Sequence, residues 1–565
     1  MKISFPLRPR LIDALKEYKL QNFWTDVGAG VTVGIIALSL AMSLGIASLP
    51  PDHLNAPAVG IYTAIIAGFL ISALGGSRVQ IGGPTAAFIP VVVAVGATYG
   101  TDNLIVCTIL AGLILIGMGA ARLGTMIKYI PFPVTAGFTA GIAVVIFSTQ
   151  VKDFLGLSMR QNPGEFFERL RLLARSMSTL NWTAVLLATS SLVLLRIWPA
   201  RLGRRLPASI VVVLLGTAVV QLFHLDVETI GSRYGANAIP QHLPFPHWPA
   251  IEFGRLGDLL RPAFTIAILG AIESLLCAVV ADGMIDDRHD SNTELVAQGV
   301  ANVGSALFGG LPATGAIART AANVRSGGRT PVAGIVHALT LLTIVLLAAP
   351  LARFIPLPLL SAVLVNVALN MGEWRNFKRL RRWPGSDALV FALTFLLTVI
   401  FDITVAVEFG MIMAAALFIR RVTETTQIKA IEETHFDEGP QGEADAAAAK
   451  NLPAGIVLYN IMGAFLFGTA DKLETALERS GQSPDVIILR MRQVLAIDAT
   501  GLQRLEELAE RLRRHGQHLI LCGPHSQPLF AMERHGFIES LGLANVCADV
   551  ESSLRRAQEL MQSRR

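Results

Sequence analysis

The sequence predicts a polytopic α-helical membrane protein followed by a soluble α/β domain, on three observations. Hydrophobic residues make up 52% of the 565 and charged residues only 16%, whereas a soluble globular chain carries about 25% charged residues. Mean hydropathy is +0.54. Apolar runs near the roughly 20 residues that span a bilayer follow one another from about Val27 to Ile419, and alternating strand and helix patterns replace them afterwards. Such apolarity without repeats excludes disorder, collagen and coiled coil. The net charge is modest, 47 − 42 = +5, and the positive residues sit in loops, which argues against nucleic acid as a partner. Cys107, Cys277, Cys522 and Cys547 show neither CxxC pairing nor metal spacing, so no disulfide framework and no metal site is expected. The basic start MKISFPLRPR runs into a polar stretch, and no cleavable signal peptide is expected.

The organisation predicted is a cytoplasmic N-terminal segment (1–24), a membrane domain (25–422), a linker (423–450) and a cytoplasmic α/β domain (451–565). Fourteen segments are expected in the membrane domain, at 27–48, 57–75, 84–98, 103–121, 130–150, 182–199, 207–224, 260–281, 294–308, 313–324, 331–350, 356–371, 386–401 and 403–420. The third and tenth are too short to span alone. Basic clusters at Lys2–Lys19, Arg201–Arg205, Arg375–Arg382 and Arg420–Arg421 all fall inside when an even number of spans starts from a cytoplasmic N-terminus. Residues 160–175 carry Arg160, Arg169, Arg171 and Arg175 on the outer side. They read as a surface amphipathic helix, with Phe166, Phe167, Leu170, Leu173 and Ala174 on its apolar face, or as a local error in the count. Residues 432–450 are acidic and small, as in a linker. Beyond them, strands at 455–461, 485–491 and 518–522 alternate with helices at 470–480, 501–515, 526–535 and 549–562, the signature of an α/β domain.

The two short segments are alike. VQIGGPTAAFIP (79–90) and FGGLPATGAIART (308–320) each read Gly-Gly, Pro, Thr and then small apolar residues. Gly and Pro do not build a mid-membrane helix, but Pro suits the first turn of a new one. Interrupted segments in matching halves point to a transporter site. Two half-helix N-termini facing one cavity offer free N–H groups and partial positive charge, which favours an anion, and Arg319 adds a full charge. The alternative makes both stretches ordinary turns between spans. Glu273 lies deep inside the eighth segment, and an intramembrane carboxyl is by default a functional candidate. Burial favours its neutral form and a nearby cation its charged form, so it serves either proton or cation coupling, or a static pair with Arg319. Glu408, near the outer end of its segment, reads as an interface carboxylate. No hydrolytic, phosphate-cradling or metal motif appears, and no enzyme activity is expected.

The stretches LGAIESLLCAVVADGM (269–284), NTELVAQGVANVGSALFGGLPATGAIARTAANVRSGGRTPVAG (292–334), IGGPTAAF and TAGFTAGIAVVI (135–146) resemble the sulfate permease (SulP) anion transporter family, within it most the bacterial C4-dicarboxylic acid transporter branch. The C-terminal domain resembles a STAS (sulfate transporter and anti-sigma factor antagonist) domain. The resemblance implies two inverted seven-segment repeats divided into a core (segments one to four and eight to eleven) and a gate, with elevator motion between them. It places the anion against Thr85 and Phe88 on the third segment and against Thr314, Gly315, Ala316, Ile317, Ala318 and Arg319 on the tenth, where backbone N–H groups from Ala313 onward bind it. Glu273 falls on the family's intramembrane acid. The function implied is secondary active, proton-coupled uptake of a C4-dicarboxylate such as succinate, fumarate or aspartate. Alternatives are a sulfate transporter, a Na⁺-coupled bicarbonate transporter, and an uncoupled anion exchanger or channel. No bound cofactor is implied beyond a co-transported H⁺, or Na⁺. A homodimer in the bacterial inner membrane is implied, with both termini cytoplasmic and a protein partner for the STAS domain. Two departures stand out. The first segment reads ALSLAMS, with Ser39 where many members carry Pro. The D-S-S-G phospho-acceptor pattern reads Asp498-Ala499-Thr500-Gly501, so Asp498 and Thr500 mark either a regulatory phosphorylation site or a helix cap.

Overall fold

The computed structural model describes residues 8–16, 18–50, 52–125, 131–159, 163, 165–199, 207–250, 253–372, 374–401, 405–406, 409–410, 412–413, 415–419, 427–430, 452–465 and 484–563. They form two compact units, Met1–Ile412 and Met413–Arg565.

In the first unit the predicted apolar segments become helices α1 (Leu20–Ser48), α2 (Ala56–Leu74), α3 (Ile89–Tyr99), α4 (Thr101–Ala120), α5 (Phe132–Leu155), α6 (Trp182–Ile197), α7 (Ala208–Phe223), α8 (Leu256–Ile285), α9 (Ser291–Leu307), α10 (Ile317–Arg325), α11 (Pro331–Ala348), α12 (Leu357–Met371) and α13 (Gly385–Ile400). These thirteen answer in order to the first thirteen predicted segments. The fourteenth is described only in part, and Glu408 lies outside the described residues. Among the described residues seven helices are long and apolar enough to cross a membrane, while α3, α7 and α13 are shorter. Proline stands in the first turn of α2, α3, α5, α11 and α12, where its missing N–H costs nothing. Asp290 caps α9 by accepting from the Asn292 and Thr293 amides. The helices pack closely through small residues: a Cβ on Gly60 would lie 1.9 Å from the Ala41 carbonyl oxygen, so α1 and α2 touch backbone to backbone.

The packing has an internal symmetry. Helix α1 packs on α11 and α8 on α4; α4 packs on α9 and α11 on α2. Likewise α1 meets α2 and α8 meets α9, while α5 meets α13 and α12 meets α6. Exchanging each of these helices with the one seven places along converts each of these contacts into its partner, and the contacts α2–α9 and α5–α12 into themselves, while α1–α12 and α3–α4 lack such a counterpart. The matched contacts are what two halves related by a two-fold exchange must show. The halves meet in a two-stranded antiparallel ladder, β1 (Gly82–Gly83) on β2 (Thr314–Gly315), with Gly82 opposite Gly315 and Gly83 opposite Thr314. Antiparallel pairing is what a two-fold axis between equivalent segments requires. Helices α1–α4 and α8–α11 pack mainly among themselves, as do α5–α7 with α12 and α13, and α1 meets α12 and α7 across the seam between these two packing groups.

The basic stretch at 160–175 does contain a helix, Phe166–Ser176, set at 118° to α6. Phe167 and Leu170 are exposed and Leu173 is buried. Arg169, however, points inward: it is buried and donates to the Pro163 carbonyl at 2.7 Å and the Ser148 hydroxyl at 3.0 Å. The segment is therefore not a purely surface helix, because one of its four arginines braces α5. Arg160 lies outside the described residues.

The second unit holds a five-stranded sheet in the order β3 (Gln427–Ala430), β4 (Ile456–Phe465), β5 (Val486–Ile497), β6 (His518–Cys522), β7 (Val546–Cys547). Only β3 runs antiparallel to its neighbour. It lies inside the stretch expected to be linker; four residues on a sheet edge carry too little alternation to be read from sequence. Helices α14 (Ala499–Arg514), α15 (Ser526–His535) and α16 (Val550–Gln562) complete the unit. Alternate residues of β5 serve two cores. Ile487, Leu489 and Met491 pack with Leu505 and Leu508 of α14, while Val486 and Ile488 pack with Val550 and Ala557 of α16. The helix expected at 470–480 lies outside the described residues.

Candidate functional site

The ladder puts the two Gly-Gly-Pro-Thr segments side by side. Each chain then turns into a helix beginning without a side-chain cap: Ala86–Phe88 leading into α3, and α10 after Ala316. Thr85 and Thr314, one from each segment, converge on a single atom of α8. The Thr85 hydroxyl donates to Glu273 Oε2 at 2.9 Å and the Thr314 hydroxyl at 3.1 Å, and the two hydroxyl oxygens lie 3.3 Å apart. One turn earlier on α8, Gly270 faces the Phe88 ring and the Thr314 methyl, 3.6 and 3.7 Å from where its Cβ would stand. Phe88 and Thr314 are buried, Thr85 and Glu273 half-buried, and Ile317 and Ala318 exposed at the start of α10.

Arg319 does not pair with Glu273; among the described residues neither takes part in an ion pair. Arg319 is 3% exposed, donates through Nη2 to the Pro84 carbonyl, and keeps Nη1 buried with no partner among the described residues. The static Glu273–Arg319 pair is thus replaced by two separate polar points. Gly83, at φ +144°, is what admits the guanidinium: a Cβ there would lie 2.6 Å from Nη1. The expectation that amides from Ala313 onward are free for an anion also narrows. The Ala313 amide donates to Asn302 Oδ1 at 2.9 Å, Gly315 to Ser274 Oγ at 3.2 Å, and Ala316 to the Ile81 carbonyl at 2.8 Å. The Ala313 and Gly315 amides thus bind side chains of α9 and α8, and the Ala316 amide joins the two broken segments. The donors remaining at this end are the first-turn amides of Ile317, Ala318 and Arg319, whose N–H groups have no intrahelical acceptor.

Several supporting residues escaped the sequence reading. Buried Glu294 on α9 accepts from the Gly76 and Ser77 amides, 2.9 and 3.2 Å, and from Gln298 Nε2 at 2.8 Å. Asn302 also donates to the Ala313 carbonyl at 2.9 Å, and Ser305 to the Leu311 carbonyl at 2.8 Å. Residues 294, 298, 302 and 305 recur at helical spacing, a polar stripe on an otherwise apolar helix, and that stripe was the signal available. Thr320 accepts from the Ile81 amide at 2.9 Å. Asp26 accepts from the Tyr18 hydroxyl at 2.8 Å, the Arg329 amide at 2.9 Å and the Thr330 hydroxyl at 2.5 Å, tying the start of α1 to that of α11. No group of three metal-ligating side chains stands together among the described residues.

Residues 23–394 match the sulfate permease family and residues 447–553 the STAS domain. The chain belongs to the sulfate permease family. As a member it is a multi-pass membrane transporter of anions and not an enzyme. It is 38% identical over 536 residues to YvdB of Bacillus subtilis, which bears a sulfate-transporter name, with 94% of this chain and 97% of YvdB covered. It is 30% identical over 550 residues to the bicarbonate transporter BicA of Synechocystis, covering 95% and 94%. The solved transmembrane domain of a cyanobacterial BicA superposes with a TM-score of 0.62 at 32% identity, over 70% of this chain and 98% of that one. The overall structure of SLC26A9 superposes with a TM-score of 0.85 over 99% of this chain and 94% of that one, at 17% identity, a likeness of fold alone.

In the STAS unit, Asp498 is the N-cap of α14 and accepts the Gly501 amide at 2.7 Å. Thr500 is exposed in the first turn. The geometry gives Asp498 the cap role and leaves Thr500 as a surface hydroxyl.

Proposed function

We propose that this chain is a proton-coupled C4-dicarboxylate transporter of the bacterial inner membrane, its termini cytoplasmic, working by elevator motion as a homodimer. The observation that carries the reading is the Thr85–Glu273–Thr314 cluster: one carboxylate accepts a hydroxyl from each broken segment. The anion lies against the first-turn amides of α10 and Arg319 Nη1, with Thr85 and Phe88 opposite. As a carboxylate, Glu273 accepts both hydroxyls; on taking a proton it compensates the substrate's charge, and the core carries both inward. The STAS unit is a docking point for a cytoplasmic protein.

The same three oxygens suit a hard cation such as Na⁺, and the BicA and YvdB likenesses favour bicarbonate or sulfate as the second reading. An uncoupled exchanger or channel is the third. The experiment is uptake of labelled succinate into proteoliposomes under an inward proton gradient, with sulfate and bicarbonate as competitors and Na⁺ absent, then added. Gradient-driven succinate accumulation is expected. Sulfate uptake or Na⁺-dependent bicarbonate uptake without succinate uptake sinks the substrate claim and leaves the site. Glu273→Gln is expected to abolish gradient-driven accumulation while exchange persists; undiminished accumulation removes Glu273 from coupling. Arg319→Ala is expected to weaken the apparent affinity, and an unchanged value removes it from the site.

A further inference from the structure

A cavity of about 460 Å³ opens between the two packing groups, and none of the anion-site residues lines it. Helices α1 and α11 supply one wall, with Met42 and Val345; α7 supplies the other, with Val213, Thr217 and Gln221. The lining is apolar apart from Ser39 on α1, whose hydroxyl turns back to the Ile36 carbonyl, and the α7 end. There the Thr217 hydroxyl oxygen is buried with no partner among the described residues, and Gln221 follows one turn later, close to the C-terminus of α7 at Phe223. The outer rim is Leu214 and Leu351, 65% and 66% exposed, and the same surface continues to exposed Leu222 and Leu347.

We infer that this groove binds one acyl chain of a bilayer phospholipid. Its inner walls are mid-helix residues of α1 and α7 and its rim reaches the end of α11 and the 349–355 turn, so its open side runs from hydrocarbon toward the lipid glycerol region. A dry aliphatic cavity of this size accepts an apolar chain, while a polar solute has nothing there to satisfy it. The α7 end has the chemistry an ester linkage needs: a hydroxyl without an acceptor among the described residues and a carboxamide, one helical turn apart near a helix terminus, where the glycerol region of a lipid lies. The tail runs inward past Val213 to Met42 and Val345. The groove straddles the seam between the packing groups, so its occupant lubricates or wedges that seam; this consequence alone rests on the elevator reading, and the binding does not.

The test uses the full-length protein in bilayers containing phosphatidylglycerol with a diazirine in one acyl chain, followed by irradiation and peptide mapping. Adducts at 210–221 and 344–355 are expected to exceed those on the lipid-facing side of α6, around Leu186 and Val193, by at least about fivefold. Ala218→Trp, and separately Ala348→Trp on the facing helix, are expected to reduce the groove adducts by a similar factor and leave the α6 adducts unchanged. Even labelling around the wild-type protein overturns the inference. So does undiminished groove labelling in both filled variants, and so do protein–protein adducts from the groove, which assign it to a second copy of the chain. None of these readouts needs transport, so failure here is distinct from failure of the substrate reading.

Discussion

Gly83→Ala tests whether the Gly-Gly ladder exists to seat a guanidinium. The residue sits at φ +144° and a Cβ there would lie 2.6 Å from Arg319 Nη1 and 3.3 Å from Ala64 Cα. Holding a non-glycine residue in that backbone region costs about 1–3 kcal/mol, and the new methyl must also push the guanidinium aside. A hydrogen bond to a charged group contributes about 1.5–3 kcal/mol. Losing one anion contact of that size weakens apparent affinity roughly 10- to 150-fold, at 1.4 kcal/mol per tenfold. The assay is substrate counterflow in proteoliposomes, giving apparent affinity, with a thermal melt of the same preparations. Gly96→Ala, in α3 with nothing within 4 Å of its Cβ, is the control and is expected to match wild type. A Gly83→Ala protein with unchanged affinity and unchanged melting would refute the reasoning, because neither the strain nor the guanidinium contact would then be real.

Glu294→Ala removes the acceptor for two amides and one carboxamide; at about 1–3 kcal/mol per buried orphan, at least roughly 3 kcal/mol is expected, read as a large drop in the detergent melting temperature. Asp498→Ala is expected to lose about 1 kcal/mol of helix stability through the missing cap, while Thr500→Ala stays within about 0.5 kcal/mol; hydrogen exchange over 499–514 in the full-length protein distinguishes them. The hydrogen bonds from the Ser552 side chain and amide hold the Asp549 carboxyl below the usual carboxylate value. A depressed native pKa stabilises above the unfolded pKa and is lost as pH falls through the native one. Amide protection over 550–562 is therefore expected to fall on acidification across that window, and Asp549→Asn to flatten the dependence.

The broad plan was legible because hydropathy and helix length report the environment a segment must live in. The repeated Gly-Gly-Pro-Thr was legible because those residues are out of place in a span. What hid was whatever depends on a partner far along the chain. Gly82 and Gly315 give no sign from sequence that they pair. Glu294 lies at the edge of an apolar run and looks like an ordinary helix start until its acceptor role toward Gly76 and Ser77 is seen. The Arg319–Glu273 question turned on direction, since a charge four residues into a loop–helix junction can face either side of the ladder. In the α/β unit Leu502, Leu505, Leu508, Ala509 and Leu512 recur at helical spacing and are the buried face of α14, whereas β3 is a short edge strand that buries too little to leave a pattern.

The ladder also bears on how the chain is made. Its strands end at Gly83 and begin at Thr314, so 314 − 83 = 231 residues of synthesis separate them. At roughly 5–20 residues per second, the first broken segment waits about 10–50 s for its partner, with the glycine amides and carbonyls of that strand unmatched in a setting that offers no water to match them. The first half of the chain is accordingly a folding client and not a half-built transporter. Its broken segment has no settled place until the second half arrives, and the insertion machinery, or a second fragment supplied separately, must bridge that interval.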